Sequence, residues 1–169
     1  MQQLGKDFEP GPLEPVLKSL MDEDDPEVRF IACGAVQEVC AIVEGSLGNE
    51  QVRNLYIELL KRMDDSNDRI RIEAARAFEL FMPSVPRGYD PGQFDFLSRG
   101  LLVHLDDQNA EVQAGVLPAV LAAAAVNPTQ MAAICKEVAS KHRSGALCDK
   151  VIERANQLKR AAAGADDLN

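Results

Sequence analysis

The side chains with most chemical potential in this chain are its aspartates, and they recur at a fixed interval. Asp22, Asp64 and Asp106 lie 42 residues apart. Each has acidic company: Asp24 and Asp25 in the first cluster, Asp65 and Asp68 in the second, Asp107 in the third. Clustered carboxylates can hold a hard cation or share a proton as an acid–base dyad. Asp64-x-Ser66-x-Asp68 opens like a calcium loop, but Arg69 stands at the glycine position and Ala75 at that of the bidentate glutamate. The loop fails on both counts. The reading that remains is structural: Asp22, Asp64 and Asp106 cap amides at a turn, and Arg29 and Arg71 form a ladder bridging to neighbouring acids.

Other reactive residues are scattered. Cys33, Cys40, Cys135 and Cys148 form no CxxC pair, and His104 and His142 are distant from the paired spacings a zinc cluster uses. The cysteines read as ordinary thiols. No nucleophile–base arrangement and no glycine-rich phosphate loop is suggested, so neither an enzyme nor a bound cofactor or metal is expected. A net charge of −9 and a pI near 4.7 speak against a nucleic-acid binder. The most apolar run, Ala114 to Val126, is shorter than the roughly 18 residues of a membrane span and contains Pro118. No apolar leader follows Met1, and the expected location is cytoplasmic.

The elements that carry the aspartates share their 42-residue period. Val28, Ile70 and Val112 align, then Ala32, Ala74 and Val116, then Ala35, Ala77 and Ala119, then Val36, Phe78 and Val120. Two amphipathic helices fit in each period, and neither hides its apolar stripe alone. The pattern predicts an all-α fold, an α-solenoid of about four HEAT repeats built from antiparallel helix pairs. The small-residue columns let second helices approach closely, and the larger Val36/Phe78/Val120 column fills the space beyond.

In order, residues 1–12 read as a polar lead-in, and the solenoid as 13–163, with repeats at about 13–48, 49–92, 93–126 and 127–163. Residues 164–169 read as a disordered tail. Helices are expected over about 13–21, 26–44, 50–63, 68–82, 94–105 and 110–126, followed by a fourth pair opening at Asn127-Pro128. Asp25-Pro26, Asn49, Asn109 and Asn127 are the expected caps. Gly45 and Gly48 stop the second helix. Residues 83–92, with three prolines and two glycines, form the one long loop. Leu117 and Leu121, on a helix apolar most of the way round, are expected under the fourth repeat.

Stacking would bring equivalent turns onto one edge. Asp22, Asp24, Asp25, Asp64, Asp65, Asp68, Asp106 and Asp107 would then make an acidic ridge, a candidate partner surface for a basic segment. The last turn, Lys141-His142-Arg143, is basic and is expected at the other end, as a second candidate surface for an acidic peptide.

Specific strings go beyond spacing. Leu59-Leu60-Lys61-Arg62-Met63-Asp64-Asp65, Leu101-Leu102-Val103-His104-Leu105-Asp106-Asp107 and Lys141-His142-Arg143-Ser144 resemble the C-terminal HEAT repeats of the dynein axonemal assembly factor 5 (HEAT repeat-containing protein 2) family. The resemblance implies a cytoplasmic, non-enzymatic scaffold for preassembly of axonemal dynein arms. It implies axonemal dynein chains and co-assembly chaperones as partners, and further N-terminal HEAT repeats if the chain is a fragment. The alternative is a generic HEAT adaptor of the phosphatase-scaffold or transport-receptor kind. HEAT-like lyase subunits use shorter units, which the 42-residue period disfavours.

Overall fold

Each of three aspartate turns joins a helix pair, and these stack in sequence with a fourth pair joined by a basic turn. The computed structural model describes residues 13–43, 47–86, 88–143 and 145–166. The helices are α1 (Leu13–Met21), α2 (Pro26–Val43), α3 (Asn49–Met63), α4 (Asp68–Phe81), α5 (Pro91–Leu105), α6 (Ala110–Val126), α7 (Pro128–Val138) and α8 (Gly145–Asp166). Short 3-10 turns follow α4 at Met82–Ser84 and α7 at Ala139–Lys141. No strand occurs among the described residues. The first helices stack as α1–α3–α5–α7 and the second as α2–α4–α6–α8. This is the all-α helical-repeat solenoid that the period predicts.

Local chemistry sets the helix starts. Asp25 Oδ1 accepts the Glu27 N–H at 2.9 Å ahead of Pro26, whose fixed φ suits a first helical position. Asn67, Asn109 and Asn127 cap α4, α6 and α7 through their side-chain oxygens. Two starts differ from expectation. Asn49 is the first residue of α3 and Gly48 is its cap, with Gln51 Oε1 accepting the Gly48 N–H. A side chain that reaches back does the work assigned to Asn49. α5 begins at Pro91 rather than Phe94, because Asp90 accepts the Gln93 N–H at 2.8 Å and repeats the Asp-Pro start of α2. The long loop is correspondingly shorter.

The small columns are buried at Ala32, Ala74, Ala77 and Ala119, each at most 1% exposed, and partly buried at Ala35. Val36, Phe78 and Val120 are fully buried beside them. Each large apolar side chain so placed contributes about 1.5–3 kcal/mol. Gly100 marks a close approach of α5 to α3, since a Cβ there would lie 2.7 Å from Leu60 Cδ2. Leu117 and Leu121 are partly buried against the core, and α8 packs on α6. Pro118 sits inside α6 without ending it.

At the C-terminal end, α8 continues to Asp166, so residues 164–166 are helical rather than tail. Ala161, Ala162 and Ala163 carry the helix outward on residues of the highest helix propensity. Residues 167–169, the lead-in 1–12, Gly45 and Ser144 lie outside the described residues.

Candidate functional site

The turns between paired helices gather on one edge, and the candidate residues meet there. Their bonding follows one plan. Arg29, in the first turn of α2, donates from Nη1 to the carbonyls of Glu23 and Asp24, both at 2.8 Å. Its fork then reaches the next turn, with Nε 2.8 Å from Asp65 Oδ2 and Nη2 3.2 Å from Oδ1. Arg71 repeats this one unit on: Nη1 donates to the Asp65 carbonyl at 2.9 Å, and Nε lies 3.3 Å from Asp107 Oδ2. Each arginine therefore holds its own turn and grips the carboxylate of the next.

The capping aspartate is the second of each pair, not Asp64 or Asp106. Asp65 Oδ1 accepts the Asn67 N–H at 3.0 Å, and Asp107 Oδ1 accepts that of Asn109 at 2.8 Å. Asp64 and Asp106 instead end α3 and α5, where their own N–H groups close the last turn. Their side chains point to the following unit. Asp64 lies 3.5 Å from His104 Nε2, and Asp106 takes the Arg143 backbone N–H at 3.0 Å and its Nε at 3.3 Å. Arg143 also donates from Nη2 to the Asp106 carbonyl.

These contacts revise the two surfaces. Lys141-His142-Arg143 is not remote from the acids; Arg143 continues their edge, because the one-residue link at Asn127 keeps α7 and α8 stacked on α5 and α6. Asp65 is a buried, fully bonded group rather than part of an exposed ridge. Asp22 meets Lys61 and Arg62, and Asp68 meets Arg71 and the Asn109 amide. Asp24 and Asp25 remain exposed, without a cation partner among the described residues. The edge is an interlaced ion-pair network, with Asp25 capping α2 and the Asp24 carboxylate exposed at its first turn.

Electrostatics follows the geometry. Burial pushes the Asp65 carboxyl up, but the Arg29 fork, the Asn67 amide and the charge of Arg62 outweigh it and hold it below the ordinary range. Asp106 is lowered in the same way: partial burial raises it, and its bonds to Arg143 overcome that. His104 is 8% exposed, and its burial lowers its pKa despite the attraction of Asp64 and Asp107.

The cysteines are all buried and free. Burial pushes the thiols of Cys33, Cys40 and Cys135 up to about 12 and raises that of Cys148. Cys148 Sγ lies 3.5 Å from His142 Nδ1, a contact the sequence spacing does not advertise. A raised pKa and full burial make that thiol a packing group, since nucleophilic cysteines are low-pKa and accessible. Among the described residues, no three His, Cys, Asp or Glu side chains stand where they could hold a metal ion. Nor is any helix long and apolar enough to cross a membrane.

No family model matches the chain. Among curated proteins, dynein axonemal assembly factor 5 of Xenopus laevis is 33% identical over 144 residues, which is 83% of this chain and 17% of the relative. The Homo sapiens protein of that name is 28% identical over 145 residues, again 83% and 17%. That of Mus musculus is 26% identical over 153 residues, 88% and 18%. At 26–33% identity, the three alignments each cover 83–88% of this chain. The chain spans about 17% of the length of the relatives it matches.

Proposed function

We propose that this chain, related at family level to dynein axonemal assembly factor 5, is a non-enzymatic interaction scaffold for assembling axonemal dynein arms in the cytoplasm. The observation that carries the reading is the match itself: relatives bearing that name align over at least 83% of the chain. The fold is compatible with it. Stacked helix pairs offer long faces to protein partners, and repeat proteins use them in that way. The partners are axonemal dynein chains and the chaperones that fold them. The exposed carboxylates of Asp24 and Asp64 are the part of the edge open to a basic segment.

The test is affinity capture with this chain from cytoplasm of cells building motile cilia, read by mass spectrometry. Enrichment of axonemal dynein heavy or intermediate chains together with chaperones is the expected result. The reversal Asp24→Lys, which leaves the Asp25 cap of α2 in place, should deplete them while the fold survives. Recovery of phosphatase or transport subunits with no dynein would instead identify a generic adaptor.

A further inference from the structure

Along the bodies of the second helices, α4 and α6 leave an open groove of about 460 Å3 between them. Ile72, Gly115 and Pro118 form its floor. Glu79 and Glu111 stand on its rim, both exposed and without a cation partner among the described residues. Arg76 also lines the groove but is already engaged: its Nη1 lies 3.1 Å from Glu73 Oε2, while Glu73 Oε1 accepts the Gln37 amide at 2.8 Å. The groove therefore offers two unpaired carboxylates over an apolar floor.

Where α6 walls the groove, it is built against helix propensity. Gly115 and Pro118 are the two residue types least suited to a helix interior. Stacking does not demand the glycine, since a Cβ at 115 would meet Ile72 Cγ2 at 3.7 Å and Ala75 Cβ at 3.9 Å, both ordinary contacts. Pro118 has no N–H, so the carbonyl of Ala114, four residues before it, loses its helical donor. Ala114 is exposed and lines the groove. A backbone acceptor thus joins the two carboxylates, and every unsatisfied group of this wall calls for a donor.

We propose that the α4–α6 groove binds an extended segment of a protein partner that carries lysine or arginine side chains. The cations meet Glu79 and Glu111, their alkyl stems cover Ile72 and Pro118, and an N–H of the segment bonds the Ala114 carbonyl. An extended segment suits this acceptor better than a helix, whose interior N–H groups are bonded within the helix. The site is separate from the Asp24 edge and goes beyond the assembly role, so its test uses no cell extract.

The isotope-labelled chain is titrated, with NMR readout, with a peptide alternating lysine and alanine, which when extended carries its lysines on one face. A glutamate–alanine peptide serves as its counterpart. The lysine peptide should shift the amides of Ile72, Glu111 and Gly115, and the glutamate peptide should leave them in place. Glu79→Gln and Glu111→Gln should each weaken binding about two- to fivefold, the range for exposed ion pairs. Pro118→Ala supplies the missing N–H, so it should raise the thermal midpoint while weakening the peptide, an opposition that general charge attraction does not produce. Shifts confined to the Asp24 edge, equal binding of both peptides, or no binding at millimolar peptide would overturn the proposal. So would an affinity that neither glutamate substitution changes.

Discussion

Arg29 and Asp65 are 36 residues apart in sequence and joined by a two-pronged ion pair, with 2.8 Å between Nε and Oδ2. Asp65 is almost wholly buried, and its other bond holds the Asn67 amide at the start of the turn into α4. The pair therefore links three things: the turn after α1, the turn after α3, and the stacking of the units that contain them. Arg71 and Asp107 repeat the link with a longer fork.

Removing the arginine should cost more than a surface ion pair would, because Asp65 stays behind, buried and charged. Arg29→Ala is expected to lower stability by about 1.5–3 kcal/mol, the range for hydrogen bonds to charged groups. Arg29→Lys should recover only part, since a lysine cannot bond two carboxylate oxygens and two carbonyls in one plane. Urea unfolding of the three chains measures the order directly. Equal midpoints for wild type and Arg29→Ala would show that the pair contributes nothing.

The caps separate what a residue type suggests from what it does. Asn67→Ala and Asn109→Ala each remove an acceptor for a helix-opening amide and should each cost about 1 kcal/mol. Asn49→Ala should cost a few tenths at most, because Gly48 is the cap and Gln51 supplies the side-chain oxygen. Thermal or urea unfolding of the three single variants decides it.

Much of the architecture is legible in the sequence because a repeat states each rule several times. The columns through Ala74 and Phe78 specify burial, and the period specifies which turns lie side by side. What the sequence shows poorly is the choice between adjacent like residues. Asp64 and Asp65 are equivalent as letters, yet one faces the next unit and the other caps its own turn. That choice depends on how the last turn of α3 ends, which is a matter of backbone angles. The position of Arg143 is equally hidden: it follows from the brevity of the link at Asn127, which shifts the last turn off the period while keeping it on the same edge.

Ala74 lies at the centre of this register and is fully buried. Ala74→Arg would place a long charged side chain in the α4 interior with no partner and no space. Loss of the cooperative thermal transition is the expected outcome. A melt unchanged from wild type would mean that the column does not face the core.

Acid should weaken the fold in two stages. His104 has a folded pKa below its ordinary 6.5, so the unfolded chain binds its proton first and stability declines as pH falls through that value. Asp65 and Asp106 also have folded values below their ordinary 3.8. Their contribution is complete above that value and is lost as pH falls through the depressed one. His104→Gln should remove the upper stage and leave the lower, as read from unfolding midpoints between pH 8 and pH 3. Retention of the upper stage in that variant would assign it to another group.

Gly100 and Leu60 offer a test of how closely the first helices stack. A Cβ at residue 100 would come within 2.7 and 2.9 Å of the two Leu60 methyl carbons, so Gly100→Ala forces that side chain to move. Against this, alanine in a helix interior is favoured over glycine by about 0.8–1.0 kcal/mol. With Leu60 in place the two effects oppose each other, and the single change should be neutral or destabilising. In a Leu60→Ala background the obstruction is gone and only the propensity gain remains, so Gly100→Ala should stabilise by nearly its full helix-propensity value. The double-mutant cycle should therefore show a coupling of about 1 kcal/mol between residues 40 apart in sequence. Additivity of the two substitutions would place α3 and α5 further apart than the structure has them.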